Sequence, residues 1–132
     1  MEVPITLHWG DMDALGHVNN ARYFTWFESA RMRLFERVGL TATGSPEIGP
    51  ILAHTRCDFL RPVTYPARVV AGTRISRLGN TSFGMDYAVW HEADSPAAPV
   101  ARGEGVIVLV NYGTGEKVTL PDDLRRSLEA LS

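Results

Sequence analysis

The chain has 132 residues, of which 45% are hydrophobic and 21% are charged, and this predicts one globular domain over residues 1–132. The formal net charge is only −2 and the 13 basic residues are spread along the chain, so nucleic acid and an anionic membrane are not expected as partners. A signal-peptide pattern, a run of about 18 apolar residues and a second cysteine are all missing, so we expect a cytoplasmic protein without membrane spans or intrachain disulfides.

The N-terminal segment has the period-two pattern of a half-buried strand. Its apolar positions alternate with more polar ones and are Val3, Ile5, Leu7 and Trp9. We therefore predict a strand that runs as far as Trp9.

The segment from Trp9 to Tyr23 holds the densest cluster of polar side chains and leads into the longest helical pattern. Its two carboxylates, one histidine and two asparagines are Asp11, Asp13, His17, Asn19 and Asn20. The first turn of a helix has unpaired backbone N–H groups and a dipole that favours negative charge. This arrangement can bind or create an oxyanion, so we expect any chemistry to lie here.

Apolar residues with helical spacing continue from Ala21 to Val38, and Gly39 follows as the predicted C-terminal cap. Asn19 or Asn20 is expected at the N-cap, where an asparagine oxygen accepts a backbone N–H. The apolar residues cover more than one narrow stripe of this helix. Such a helix is usually wrapped by other structure.

The rest of the chain predicts strands with short connections and a final helix. Residues 40–50 are rich in glycine and proline and are predicted to form a loop. The predicted strands cover 51–60, 67–78, 83–89, 106–110 and 117–119, and the last helix begins at Pro121. This order favours an α+β fold, with an antiparallel sheet packed around one long helix. A second subunit commonly covers a sheet edge, so we expect at least a dimer.

Asp13 is the strongest candidate for a catalytic residue. A turn aspartate often bonds only to nearby backbone, but a carboxylate beside a helix N-terminus can also attack a carbonyl or activate water. Asp11 is the weaker candidate, because a strand-end aspartate that faces water is common. Calcium is rejected, because Leu15 occupies a ligand position of the calcium-loop pattern and Arg22 replaces its bidentate glutamate.

Several other polar residues favour structural interpretations. His17 is more often a structural turn histidine than a catalytic one, and Glu28 is expected to pair with Arg31 or a strand residue. Cys57 lies in an alternating strand pattern without a feature that would activate it, so burial is expected. Arg22, a cation in the first helical turn, opposes the dipole and has no explanation at this level.

The sequence lacks the patterns of a helical zinc site and of a dinucleotide-binding motif. The four histidines lie in separate elements and lack the spacing of a helical zinc pair, so no metal site is expected. Gly103-Glu104-Gly105 has neither a third glycine nor a following helix, so it is not a dinucleotide fingerprint.

Four motifs carry a family resemblance: Gly10-Asp-Met-Asp13, Gly16-His-Val-Asn-Asn20, Tyr23-Phe-x-x-Phe-Glu28 and Phe59-Leu-Arg-Pro62. With them the chain resembles the hotdog-fold acyl-CoA thioesterases of the 4-hydroxybenzoyl-CoA thioesterase type. The resemblance implies an antiparallel β-sheet wrapped around one long central α-helix, with no cofactor and no metal. It also implies a homodimer, or a homotetramer built as a dimer of dimers, in which each active site draws on two chains.

The same resemblance implies roles for individual residues. Asp13 matches the carboxylate that serves as nucleophile or general base, and the backbone N–H near Asn20 matches the oxyanion donor. The implied substrate or coenzyme A contacts are Asn19, Arg61, Asn80, Thr81 and Ser82, the last three from the partner subunit.

His17 also matches a histidine of the plant acyl-carrier-protein thioesterase pattern, which has an asparagine two residues earlier. Here that position is Leu15. The difference favours Asp13 acting with the helix dipole, with His17 in a supporting role.

The leading hypothesis is therefore hydrolysis of an acyl-CoA thioester to the free acid and coenzyme A. One alternative is a hotdog enoyl-CoA hydratase or dehydratase, and another is a non-catalytic acyl-CoA-binding protein. The sequence leaves open the acyl group, coenzyme A against carrier-protein thioester, dimer against tetramer, and the nucleophile or base role of Asp13.

Overall fold

A computed structural model describes residues 1–40 and 47–132. Over these residues the chain forms five strands and two α-helices. In chain order they are β1 (Glu2–Thr6), α1 (Asn20–Val38), β2 (Ile48–Phe59), β3 (Arg68–Leu78), β4 (Ser82–His91), β5 (Ala101–Asn111) and α2 (Asp122–Glu129). Neither helix in the described part of the chain has the length and apolarity needed to cross a membrane.

The strands form one antiparallel sheet in the order β1-β3-β4-β5-β2. This is the antiparallel arrangement that the sequence predicts. The strand predicted around 106–110 is part of β5, which is paired on both sides, with β4 and with β2. β1 and β2 are the two edges of the sheet as described.

The helix α1 lies against the curled sheet and supplies much of the core. It begins at Asn20 with Asn19 as its N-cap and ends at Gly39, whose φ of +79° is the left-handed conformation that glycine adopts at no steric cost. Its buried apolar residues are Tyr23, Trp26, Phe27, Ala30, Leu34 and Phe35. The predicted helix and both predicted caps are thereby confirmed.

Two glycines of β5 make room for aromatic rings between α1 and the sheet. A Cβ at Gly103 would collide with the Phe27 ring and with the Arg56 carbonyl, and one at Gly105 would lie 3.0 Å from the Tyr87 ring. The rings of Phe27 and Tyr87 stack with their centroids 4.6 Å apart. These glycines therefore serve packing, in agreement with the rejection of a dinucleotide motif.

Three predicted elements need correction. β1 ends at Thr6, and Trp9 lies in a 3₁₀ turn with 76% of its surface exposed, because the chain turns there to bring Asp11 toward α1. β2 begins at Ile48, inside the predicted loop, since pairing with β5 continues past Pro50; residues 41–46 of that loop lie outside the described residues. The predicted strand 117–119 is only an isolated bridge from Lys117 to Val110.

Candidate active site

The loop between β1 and α1 holds Asp13 in a tight turn. The Asp13 N–H donates to the His17 carbonyl at 2.9 Å, and the Gly16 N–H donates to the Asp13 carbonyl at 3.1 Å. Asp13 Oδ1 accepts the Leu15 N–H at 2.9 Å. Gly16 has a φ of +81°, which explains a glycine at this turn. The turn fixes Oδ1, whereas Oδ2 receives no hydrogen bond from the described residues.

The first turn of α1 presents one uncommitted backbone donor. Asn19 Oδ1 accepts the Ala21 N–H at 2.9 Å, and the Asn19 carbonyl accepts the Arg22 N–H at 3.0 Å. The Asn20 N–H finds no acceptor within residues 1–40 and 47–132. Unpaired donors at a helix N-terminus, aided by the dipole, bind anions. The Asn20 N–H can therefore stabilise an oxyanion.

Asp13 and Asn20 line the same cleft, whose volume is about 380 Å³. The remaining lining residues are Leu15, His17, Val18, Tyr23, Phe59, Leu60, Arg61 and Pro62. A carboxylate, a helix N-terminal donor and apolar side chains around one cavity suit a carbonyl compound with an apolar substituent.

A larger groove, of about 570 Å³, lies elsewhere on the surface. It is lined by Arg68, His91 and Glu92, among others, but neither Asp13 nor Asn20 reaches it. We therefore place the candidate site in the smaller cleft, where the carboxylate and the donor meet.

His17 and Arg61 lie in the cleft as the sequence predicts, but with different surroundings. The His17 side chain is exposed and forms no hydrogen bond with Asp13, so no histidine–aspartate pair exists in the described chain. Arg61 Nη2 donates to the Ala98 carbonyl at 2.7 Å and lies 3.9 Å from a carboxylate oxygen of Asp94. Its half-exposed guanidinium remains accessible to an anionic ligand.

The other predicted contacts lie outside the cleft of this protomer. The side chain of Asn19 caps α1 and does not line the cleft. Ser82 pairs with Val108 of β5, whereas Phe59 pairs with Ala101, so the turn before β4 is roughly 23 Å from the cleft along the strand. Asn80, Thr81 and Ser82 can therefore meet such a site only from another protomer, and their role stays a prediction.

Asp11 has a structural role that also explains Arg22. Asp11 Oδ2 accepts the His8 N–H at 2.8 Å, and Asp11 Oδ1 lies 3.4 Å from Arg22 Nε. The carboxylate compensates the cation at the helix N-terminus. This contact joins the 3₁₀ turn to α1, and no sequence pattern predicts it because it depends on how the loop folds back.

Tyr23 and Phe59 line the cleft, and Cys57 lies two residues before Phe59 in β2. The rings of Tyr23 and Phe59 meet edge to face with centroids 5.0 Å apart, and burial raises the pKa of Tyr23. Burial, with a smaller contribution from Asp58, also raises the pKa of Cys57 to about 11. Cys57 is half-buried and its thiol stays protonated near neutrality, as expected for an unactivated cysteine.

Sequence reasoning did not identify Tyr23 and Leu60 as cleft residues. Both occur in the motifs of the family resemblance, which is the only signal that could have found them. No set of three or more His, Cys, Asp or Glu side chains converges as a possible metal site among the described residues.

The chain is similar to known proteins over almost its whole length. Residues 7–128 match the family model of the thioesterase-like superfamily. A 1,4-dihydroxy-2-naphthoyl-CoA hydrolase of Prochlorococcus marinus (strain MIT 9303) is 28% identical over 134 residues, which cover 94% of this chain and 86% of the relative.

Two solved structures are similar over nearly the whole chain. A protein of Pseudomonas aeruginosa strain PAO1 is 34% identical with a TM-score of 0.87, covering 100% of this chain and 91% of the other. A thioesterase of Thermus thermophilus, solved in complex with coenzyme A and zinc, is 31% identical with a TM-score of 0.81, covering 98% and 92%.

Proposed function

Because this chain belongs to the thioesterase-like superfamily and is an acyl-CoA thioesterase of the hotdog fold, we propose that it hydrolyses its substrate through Asp13 at the start of α1. One observation carries the proposal. Asp13 Oδ2 and the Asn20 N–H both lack partners among the described residues, and both residues line the same cleft.

In the proposed reaction, the thioester carbonyl lies in the cleft with its oxygen facing the Asn20 N–H. Asp13 either attacks the carbonyl carbon, giving an anhydride that water then hydrolyses, or removes a proton from a water molecule that attacks the same carbon. In both routes the C–S bond breaks, the thiolate of coenzyme A leaves and takes up a proton, and the free acid is released. The N–H and the helix dipole stabilise the negative charge that develops on the carbonyl oxygen.

His17 and Arg61 are assigned supporting roles in this proposal. The His17 side chain lines the cleft but makes no hydrogen bond with the Asp13 carboxylate, so it does not complete a histidine–carboxylate pair. Arg61 presents a half-exposed cation at the cleft, which suits a phosphate of coenzyme A.

We also propose that two protomers join through β2. This strand has 12 residues, lies at a sheet edge and exposes apolar side chains, including 42% of Ile51. An unpaired edge of this kind is a template for pairing with a second copy. The partner would then supply Asn80, Thr81 and Ser82, and a dimer of dimers is compatible with the same contact. The cytoplasmic location expected from the sequence stays a prediction.

The relatives that hydrolyse 1,4-dihydroxy-2-naphthoyl-CoA make aromatic acyl groups the first substrates to examine. Tyr23 and Phe59 supply aromatic surface to the lining of the cleft. Straight-chain acyl-CoA thioesters of several lengths belong in the same panel, because the residues that line the cleft do not define the length of the acyl group.

The proposal is tested by measuring thiol release from this panel with the parent protein and with Asp13→Asn. The substitution keeps the shape of the side chain and the hydrogen bond to Leu15 but removes the carboxylate, so we expect kcat to fall by about a hundredfold or more. Asp11→Asn is the matched control, because it removes a carboxylate from the same loop that does not line the cleft.

Equal turnover by the parent and Asp13→Asn would overturn the role of Asp13. Saturable binding of an acyl-CoA by the parent without thiol release would instead support a binding protein. Addition of water to an enoyl-CoA with the thioester intact would support the hydratase alternative.

A further inference from the structure

The helix α1 carries a buried cation that the proposed reaction does not use. Arg31 keeps only 8% of its surface exposed, and it and Thr73 are the buried polar residues in the described chain. A guanidinium offers five N–H donors. One of them, on Nη1, donates to Tyr87 Oη at 3.2 Å. The nearest carboxylate oxygen, on Glu28, is 3.8 Å from Nη2, which is too long for a hydrogen bond.

The surroundings of Arg31 compensate its charge poorly. Burial raises the pKa of Tyr87, although Arg31 partly opposes this shift, so the tyrosine hydroxyl is neutral and supplies no counter-charge. The Glu28 side chain is 63% exposed, and its attraction is weakened by water. No buried side-chain nitrogen or oxygen among the described residues lacks a hydrogen-bond partner, so the N–H groups of Arg31 without a protein acceptor reach solvent. They are free to bind another partner, which would compensate the charge better than exposed Glu28 does.

Arg31 lines a pocket where such a partner can bind. The pocket has a volume of about 180 Å³ and lies between α1 and β2, with Phe24, Thr25, Glu28, Arg31, Leu52 and Thr55 as its lining residues. Arg31 is the only cation among them. The remaining N–H groups of its guanidinium therefore have a polar cavity within reach.

This pocket and the cleft lie along the same two elements. Tyr23 of α1 and Phe59 of β2 line the cleft. Phe24 of α1 and Leu52 of β2 line the pocket. At 1.5 Å per residue, the stretch from Asn20 to Glu28 or Arg31 is roughly 12 to 16 Å along the helix axis. An acyl group extended along α1 from the Asn20 N–H would span this distance and place its distal end at the pocket.

We propose that Arg31 binds an oxygen atom at the distal end of the acyl group, so that the preferred substrates are acyl-CoA thioesters with a terminal hydroxyl or carboxylate. This inference rests on the proposed thioesterase site. Both terminal groups share the chemistry that Arg31 requires, an oxygen that accepts hydrogen bonds from the guanidinium. The two terminal groups differ in their interaction with Glu28, whose carboxylate repels a second carboxylate but accepts a hydrogen bond from a hydroxyl.

The test compares kcat/KM for three thioesters of equal length: decanoyl-CoA, ω-hydroxydecanoyl-CoA and the ω-carboxyl analogue. The same three compounds in the octanoyl and dodecanoyl series vary how far the distal end extends from the thioester. For the parent protein we expect at least one ω-oxygenated substrate to exceed its plain counterpart by about tenfold, equivalent to about 1.4 kcal/mol. Arg31→Met retains an unbranched side chain without donors and is expected to reduce this ratio to about one.

Arg33→Met is the matched control on the same helix. Arg33 is 56% exposed and faces Glu36 at 3.8 Å, so its removal should leave the ratio unchanged. Glu28→Gln distinguishes the two terminal groups. Removing the negative charge should raise kcat/KM for the ω-carboxyl substrate and should not raise it for the ω-hydroxyl substrate. Circular dichroism and thermal unfolding show whether each variant is folded.

A parent protein without preference for either ω-oxygenated series overturns the inference, even if Arg31→Met fails to fold. An unchanged ratio in a folded Arg31→Met variant also overturns it. In either case, thiol release from plain acyl-CoA that is lost in Asp13→Asn still supports the proposed function, whereas no release from any thioester would refute the proposed function itself.

Discussion

The backbone N–H of Asn20 can be removed by a substitution that suits the helix. Asn20 is the first residue of α1 and follows an N-cap with φ −60° and ψ 135°. Proline is favoured at this first helical position and accepts an extended residue before it. We therefore expect Asn20→Pro to retain the fold and to lower kcat by about 10²- to 10³-fold, because it removes an oxyanion donor. Steady-state thiol release measures this effect.

Asn20→Ala provides the reference for that measurement, because it loses the same side chain and keeps the N–H. Equal turnover by the proline and alanine variants, both folded by circular dichroism, would show that the Asn20 N–H does not stabilise the reaction. The two variants therefore distinguish a backbone donor from a side-chain effect.

At the residue scale, the sequence predicts features that depend on one continuous segment and not contacts between distant segments. The sequence places Asp13 in a turn and Asn20 at a helix start because both features are encoded in the Asp13–Asn20 segment itself, and the structure brings both residues to one cleft; their catalytic roles stay predictions. The ion pair of Arg22 with Asp11 and the burial of Arg31 against Tyr87 were not found. They depend on how distant backbone segments meet, which spacing in the chain does not reveal.

At the element scale, α1 packs closely on β5 because Gly103 has no side chain. Gly103 lies under the Phe27 ring, and a Cβ there would also collide with the Arg56 carbonyl of β2. Because one obstacle is backbone of a paired strand, the strain cannot be relieved by a rotamer change alone. We expect Gly103→Ala to lower the free energy of unfolding by about 1 to 3 kcal/mol, measured by urea denaturation.

Gly10→Ala is the control, because a Cβ at Gly10 meets no atom within 4 Å. Similar stability of Gly103→Ala and the parent protein would mean that α1 and the β2 backbone at Arg56 can both shift away from Gly103 without cost. Such a shift would also contradict close packing of Phe27 on Tyr87.

Element prediction succeeded where periodicity was long and failed at strand ends. The apolar pattern of α1 and the alternation of β4, from Phe83 to Val89, predicted both elements well. The start of β2 was missed because Gly49 and Pro50 are typical of loops, yet pairing with β5 extends the strand to Ile48. Tertiary pairing thus outweighed local propensity.

At the scale of the whole molecule, the exposed edge of β2 predicts assembly. Pairing of β2 with its copy around a two-fold axis would continue the sheet across two protomers and bring the turn at Asn80 toward the partner's cleft. We expect light scattering to give a mass of two or four times the 14.6 kDa of one chain. Ile51→Lys should shift the protein to a single-chain mass, because a charged lysine at an edge strand opposes pairing.

Thr6→Lys is the matched control for this last prediction, because Thr6 is an exposed residue of β1, the opposite edge of the sheet. It should leave the mass unchanged. If the partner completes the cleft, thiol release per chain should fall in Ile51→Lys in parallel with the loss of the dimer, and rise again at protein concentrations that restore it. A parent protein with single-chain mass and full turnover would refute assembly through β2 and, with it, any contribution of Asn80, Thr81 and Ser82 from a second protomer.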